Sequence, residues 1–472
     1  MEVNYEGIVS SIKVAPDRRN NVYTILSTKA INAKSRLLLE LGDVVLVKSI
    51  EDDVIESVET KGKTSKEDYE KRIAHLVRSL QMKQNIEGIK EEDSGKAYGR
   101  AFADMSNDIQ EACETFARAY ISGAPVIVRF HHDGDGSSGA VSLYRALSKI
   151  DENIMIGRRG ISWVMHRGVE YDPESFYADC LEMKNFESME SPLVLIIDFG
   201  TAPGSEHSIS ESSKKFKLLM LDHHPMYKGF PKEKTSKYIN PWEYGSDTNF
   251  NAGLLASLFA ESLCRVHTQD MRTASMISDF SSYADRKDKA GMHDAVILDY
   301  LTNVAGRPES GIAKLTPSYI DSVLKNKERA DEIFYTASST MNEMLDLGVR
   351  SVKSYRCGKS ITAFVLEFGL IPKNDLGYPL PGRYSSRLQE RLEEINGMNT
   401  ITVLHYGSYV TIRMSKEISG AVGILKIIDR LVKESEYVES GGGHNEAASI
   451  KVKNGQPKKV VDLLLIELGA KL

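Results

Sequence analysis

Cysteine is scarce in this chain. The four residues, Cys113, Cys180, Cys264 and Cys357, include no pair within 60 residues of each other. No CxxC zinc pair can be drawn from them, and the spacing argues against a disulfide framework. Long apolar runs are missing too: no uncharged stretch approaches the ~20 residues of a membrane-spanning helix. The opening residues, MEVNYEGIVSS, carry an early acid and no apolar segment of the signal-peptide kind, so no export signal is expected. Nor is positive charge in excess. Lys plus Arg number 60 against 66 Asp plus Glu, a net charge of −6. That excludes a strongly basic wrapper of nucleic acid, although a local basic groove or bound cations would still accept a polyanion. Internal repeats and low-complexity tracts are absent. The expectation is a soluble protein of the reducing cytoplasm with no membrane partner.

What is present is an ordinary globular composition, 41% hydrophobic and 27% charged over 472 residues. At roughly 150 residues per domain this is about three domains. Residues 1–60 read as short strands (7–14, 22–27, 36–41 and 43–50) with turns at 16–21 and 42, the pattern of a small OB-like β-barrel. A polar linker, KGKTS at 61–65, precedes a helix capped by Thr64 or Ser65, with Tyr69, Ile73, Leu76, Val77 and Leu80 on one face. A longer helical stripe runs from Tyr98 through Phe102, Met105, Ile109, Cys113 and Phe116 to Tyr120. Three short apolar runs follow: VIVRF (126–130), LVLII (193–197) and LLML (218–221). Helical patterns separate them, which is the signature of a parallel sheet with covering helices. Residues 306–350 are helical and charged, and strands return at 361–366, 400–404 and 409–414. The expected divisions are a β-module (1–60), a catalytic α/β domain with leading helices (61–305), a helical insertion (306–355) and a smaller α/β lobe (356–472).

The three apolar runs end alike. After Phe130 comes His131-His132-Asp133-Gly134-Asp135-Gly136, after Ile197 comes Asp198-Phe199-Gly200, and after Leu221 comes Asp222-His223-His224-Pro225. One Asp after a strand is ordinarily a turn or helix cap. Three such segments deliver carboxylates and imidazoles to one edge of one sheet, where open parallel sheets bind ligands. Of eleven histidines, five lie in these loops or in the later glycine cluster, which points away from a purely structural role. Asp and His together suit Mn²⁺ or Mg²⁺. Two such ions can hold the attacking and leaving oxygens of a phosphoryl transfer. Asp198, on the central loop, is the natural bridge between them. The glycines around Asp135 would let backbone approach metal and phosphate.

These motifs resemble the DHH phosphoesterases. Asp222-His223-His224 is similar to the signature, His131-x-Asp133-x-Asp135-Gly136 to the first motif and Asp198 to the second. The fourth is a lone metal-binding Asp. Ala284-Asp285-Arg286, 63 residues after Asp222, resembles the "GDR" common there, with Asp279 as competitor. Glu439 to His444 resembles the GGGH motif of the DHH-associated domain, with Gly441, Gly442 and Gly443 forming an anion nest and His444 reaching a phosphate. Arg413 resembles that domain's phosphate-binding arginine. Ser385-Ser386-Arg387-Leu388, and Asn240-Pro241 with Gly253, resemble RecJ-type stretches. The resemblance covers roughly residues 95–470. It implies that His131 and Asp133 hold one ion, that Asp135, His223 and Asp285 hold the other, and that Asp198 bridges. It also implies that His224 touches the scissile phosphate, that Asp222 orients its neighbours and that Arg387 and Arg413 bind substrate. His132 gains no role.

The added β-module and helical insertion resemble the archaeal RecJ-like exonucleases, one of which binds GINS. The chain lacks the zinc-ribbon cysteines known among them. The resemblance implies an α/β enzyme with two Mn²⁺ or Mg²⁺ per chain that releases mononucleotides from single-stranded DNA or RNA in replication or repair. Alternatives are an oligoribonucleotide or cyclic-dinucleotide phosphodiesterase, or a GINS-binding replisome scaffold with secondary nuclease activity. Arg158, Arg159, Tyr384 and Arg387 are candidates to line a strand-binding groove. An apolar series, Ile320, Val323, Leu324, Ile333, Phe334, Met341, Met344 and Leu345, either packs on its own lobe or is the candidate docking surface for GINS. Polarity of digestion and oligomeric state are not readable.

Overall fold

The structure, a computed structural model, describes residues 2–16, 20–157, 159–358, 360–371, 376–443 and 445–470. It forms two compact units, Met1–Thr302 with Lys314–Ala330, and Asn303–Ala313 with Asp331–Leu472.

In the first unit, Glu2–Lys13, Asn21–Leu26, Ala30–Ser35, Asp43–Glu51 and Val54–Lys63 pair in the cyclic order first, second, third, fifth, fourth, first. This closes the OB-like barrel around Val9, Tyr23, Ile25, Ile31, Val45, Val47 and Ile55. The third strand is Ala30–Ser35 rather than 36–41, because Ile31 and Ala33 turn into the barrel while Ala30 faces the helices on the other side. The polar residues Lys61 to Lys63 are not a linker but the end of the fifth strand, paired back to Asp43. The first barrel strand also pairs with Phe186–Ser188 and the third with Met155–Ile156.

The second sheet of this unit is parallel, in the order Lys237–Ile239, Lys217–Leu221, Leu193–Ile197, Val126–His131, Ser162–His166. Its strands read as continuous apolar runs because both faces are covered. Val126, Val128, Phe130, Leu193, Leu195, Ile197, Leu219 and Leu221 pack with the helices Gly99–Ser122 and Ala252–Leu263. Ile127, Val194, Ile196, Leu218 and Met220 turn to the other side, onto Tyr171, Phe176 and Ile209. Phe130, Ile197 and Leu221 lie in one row across three adjacent strands. The next residue of each is therefore delivered to the same edge.

The second unit holds a mixed sheet in the order Lys353–Cys357, Ile361–Glu367, Thr400–Tyr406, Tyr409–Met414, Ala447–Val452, Val438–Gly443. Helix Pro381–Asn396 packs on one face through Tyr384, Leu388 and Leu392. Helices Ile424–Glu434 and Pro457–Glu467 cover the other. The region expected as one helical insertion is shared between the units and built from Pro317–Lys325, capped by Thr316, and Lys327–Ser351. Ile320, Val323, Ile333, Met344 and Leu345 are buried, so of the two readings of this apolar series most of it follows the packing one. No helix among the described residues is long and apolar enough to cross a membrane.

One charged side chain interrupts the apolar sheet. Arg129 is buried and holds Asp179 through Nε, at 3.0 and 2.9 Å, and Nη2 at 2.8 Å. Tyr171 donates to the same carboxylate at 2.8 Å. Breaking a buried pair from one side leaves an uncompensated charge. Asp179→Ala should lower stability by about 3–5 kcal/mol, read from the urea midpoint. Arg129→Met combined with Asp179→Leu should recover most of that loss.

Candidate metal centre

The site is assembled where the three central strands end. Asp133 caps helix Gly134–Ile154, accepting from the Gly136 amide at 3.0 Å through Oδ1. Its Oδ2 lies 2.9 Å from His131 Nδ1. Asp135, in the first helical turn, is held by the start of helix Ala252–Leu263. Its Oδ1 accepts from Asn251 Nδ2 at 2.6 Å and the Gly253 amide at 2.7 Å, and its Oδ2 from the Ala252 amide at 3.1 Å. A helix N-terminus favours a carboxylate there. A Cβ on Gly253 would stand 2.6 Å from Asp135 Oδ1, so glycine is required at that position. Gly136 is needed for a different reason from the one expected. A Cβ there would meet the His131 backbone at 2.6 Å, so its role is chain packing.

Asp198 follows the central strand with φ +71°, a left-handed conformation that costs a non-glycine residue energy and clusters at functional sites. Its carboxylate is divided. Oδ2 lies 3.6 Å from His131 Nδ1, while Oδ1 lies 3.4 Å from His223 Nε2 and 3.9 Å from His224 Nδ1. The His223 Nδ1 sits 2.9 Å from the Thr248 carbonyl, which fixes that nitrogen as the protonated one and leaves Nε2 as the ligand atom. Asp222 accepts from the His223 and His224 amides at 2.8 and 3.2 Å and stands 2.8 Å from His224 Nδ1. The loop 240–244 braces these residues: Asn240 donates to the His224 carbonyl at 2.9 Å and Trp242 Nε1 to that of His223 at 3.1 Å.

Candidate ligand atoms fall within 4.8 Å of one another in three sets: His131, Asp133 and Asp198; Asp198, His223 and His224; Asp135, His223 and Asp279. At the fourth motif the geometry separates the two candidates. Asp279 joins the cluster and Asp285 does not. Asp279 caps helix Gln269–Ser278, and Phe280 then turns the chain through φ +56°. Asp285 lies beyond that turn, exposed, accepting from the Lys287 amide at 2.9 Å. Asn251 and Asp299 are the functional positions that motif reading misses. Asp299 accepts from the Gly134 amide at 3.1 Å and from Ser278 at 2.9 Å, tying the two metal-side loops together. No local pattern marks either one.

The electrostatics call for cations. Burial, then Asp198 and Asp279, push the Asp135 carboxyl well above its ordinary pKa. Burial disfavours charge on the His131 and His223 imidazoles. The facing carboxylates, Asp133 for His131 and Asp279 for His223, outweigh it and raise both pKa values well above normal. Without metal, the cluster holds protons. Asp198 Oδ1 and Asp222 Oδ2 are buried acceptors with no hydrogen-bond partner among the described residues. Oxygen and imidazole donors around orphaned acceptors fit Mn²⁺ or Mg²⁺. His132 is different. Burial and neighbouring His131 pull it down to about 4, so it stands as a neutral ring edge-on to His131 at 4.9 Å.

In the second unit Gly441, Gly442 and Gly443 do not form a loop. They are the end of the edge strand Val438–Gly443, paired to Ala447–Val452. Gly441 has no room for a Cβ, which would meet Ile428 at 2.6 Å, and Gly443 adopts φ +132°. His444 lies outside the described residues. Arg413, on Tyr409–Met414, donates to Ser386 Oγ at 2.9 Å. Arg387 is paired with Glu390 at 2.9 Å. Of the other groove candidates, Tyr384 is core, its hydroxyl donating to the Met344 carbonyl at 2.9 Å. Arg159 donates to the Ala119 carbonyl at 3.0 Å and sits 4.9 Å over Tyr120, so it closes a helix end. Arg158 lies outside the described residues.

Two outcomes follow for metal loading. Asp279→Ala should weaken Mn²⁺ binding at least about 100-fold, since even outer-shell partners cost 10–100-fold, whereas Asp285→Ala should leave it unchanged in calorimetric titration. Because ions must displace the protons held by His131, His223 and Asp135, apparent Mn²⁺ affinity should rise from pH 6 to pH 8. A flat profile would contradict the proton-held cluster.

No family model matches the chain. An uncharacterized protein of Methanocaldococcus jannaschii is 20% identical over 404 residues, covering 74% of this chain and 52% of that protein. The chain thus spans about half the length of the curated relative it matches. Among solved structures, the DHH domain of a member of a family of ribosomal proteins matches with a TM-score of 0.68 at 21% identity, over 84% of this chain and 99% of that one. RecJ of Thermus thermophilus in complex with Mn²⁺ matches with a TM-score of 0.50 at 15% identity, over 76% of this chain and 54% of that one. At these identities the likeness is one of architecture, and the architecture of this chain is the DHH fold.

Proposed function

We propose that the chain is a divalent-metal-dependent phosphodiesterase that releases mononucleotides from single-stranded nucleic acid. The observation that carries this reading is the divided Asp198 carboxylate, with Oδ2 toward the His131 and Asp133 set and Oδ1 toward His223 Nε2. One carboxylate serving two ligand sets suits a pair of ions. Bound divalent cations supply Lewis-acid charge to a phosphodiester and acidify the attacking water. Around them, His131, Asp133, Asp135, Asp198, His223 and Asp279 are the ligands. Asp222 holds His224 through Nδ1, and the His224 side chain is 38% exposed, which leaves Nε2 able to contact a phosphate. In the second unit Gly441 to Gly443, His444, Arg413 and Arg387 are assigned to substrate phosphates.

A cysteine nucleophile is disfavoured. The buried thiols of Cys113 and Cys264 are pushed up in pKa by burial, Cys264 to about 12, and thiolate is the reactive form. The polynucleotide substrate is supported by the sequence motifs and by the fold shared with Mn²⁺-bound RecJ.

DNA and RNA strands labelled at either end test this. Stepwise mononucleotide release from single strands, requiring Mn²⁺ or Mg²⁺, is the expected outcome. Asp198→Ala should lower turnover by about 10³-fold or more, as removal of a group that acts as part of a unit does. Hydrolysis confined to dinucleotides or cyclic dinucleotides would contradict the exonuclease reading while leaving the metal chemistry standing.

A further inference from the structure

The second unit contains a cleft of about 670 Å³ that includes His405, Glu367, Gly407, Gly455, Lys458 and Lys459 in its lining. It lies at the opposite end of the sheet from Arg413 and Gly443. Arg413 pairs with Thr402 and Ala447, and Gly443 with Ala448, whereas His405 pairs with Val410. Three residues at ~3.3 Å each separate the two ends by about 10 Å.

Helix Pro457–Glu467 begins at this cleft, and no side chain caps its N-terminus. Such an end presents backbone N–H groups and favours negative charge. His405 provides an independent indication. Alternation along Thr400–Tyr406 puts its ring on the helix-covered face with Ile401 and Val403. The residue is 6% exposed and lines the cleft. Its ring makes no hydrogen bond to another described residue, and its nitrogens are not sealed within the core, so they are offered to whatever occupies the cleft. Lys458 sits at the mouth, 3.1 Å from Glu367, and Lys459 lies 4.5 Å over the Tyr437 ring. At Gly407 and Gly455 the wall has no side chain.

We propose that this cleft is an anion site that takes a phosphate group, bound by His405, Lys458 and the open helix N-terminus. Glu367 is its internal competitor: it holds Lys458 when no anion is bound and releases it when one enters. None of these residues belongs to the metal cluster, so the proposal stands apart from the hydrolytic reading. Orthophosphate and the phosphate of a nucleotide share the required chemistry.

Calorimetric titration of the full-length, metal-free protein tests the site, with Arg413→Ala introduced to silence the other end of the sheet. The probes are inorganic phosphate and a nucleoside 5′-monophosphate. Saturable binding is expected, weakened about 5- to 10-fold by Lys458→Ala, as for a charge-assisted hydrogen bond partly screened by solvent. Glu367→Gln should tighten it by a similar factor, a change of sign that general loss of structure would not produce. Both side chains are solvent-accessible, so the variants should fold. Tighter binding of the nucleotide than of orthophosphate assigns the source to nucleotides, and equal binding assigns it to free phosphate. Absence of saturable binding, or affinity unmoved by Lys458→Ala and Glu367→Gln, would overturn the proposal.

Discussion

Buried negative charge at the edge of one parallel sheet is the constraint on which the rest of the first unit depends. Asp135, Asp198 and Asp222 are nearly inaccessible, and Asp133 and Asp279 stand close by. Like carboxylates this close cannot all ionise in a low-dielectric site without something positive between them. Protons shared with His131 and His223 meet that demand, and divalent cations bound to the same groups would meet it in their place. The surrounding structure reinforces the charges. Helix Gly134–Ile154 starts on Asp133, the amides of Ala252 and Gly253 hold Asp135, and the amides of His223 and His224 hold Asp222. Asp133, Asp135 and Asp222 are thus oriented by backbone donors, so they are held in place without reorganisation.

Register converts the fold into the site. Phe130, Ile197 and Leu221 stand in one row, so His131, Asp198 and Asp222 leave the sheet together. The central strand supplies the residue that faces both ligand sets, and that residue carries the left-handed backbone. Asp198 takes this left-handed turn with its amide still tied to the Leu221 carbonyl at 2.9 Å, and its two oxygens lie toward different ligand sets.

The sequence makes the local part of this legible. VIVRF, LVLII and LLML are strands because they are short, apolar and punctuated, and the motifs that follow them are contiguous in the chain. What depends on the path of distant segments is not legible. Asp279 and Asp285 differ in which side of a left-handed turn at Phe280 they fall, and a spacing of 63 residues does not say which of them the fold brings to the cluster. Asn251, Asp299 and Asp179 act through partners 116, 165 and 50 residues away. The glycine run reads as a loop because three glycines weaken a strand, whereas here close packing on Ile428 requires Gly441 and a positive φ requires Gly443 within one. The apolar series from Ile320 to Leu345 reads equally as packing on its own lobe or as a docking surface, since amphipathic spacing does not say what covers it.

Anomalous diffraction from Mn²⁺-loaded crystals tests the central claim most directly. The account predicts two manganese peaks flanking Asp198, roughly 3.5–4 Å apart as in two-metal sites, one beside His131 and Asp133 and the other beside Asp135, His223 and Asp279. A single peak, or a pair in which Asp198 touches only one ion, would contradict it.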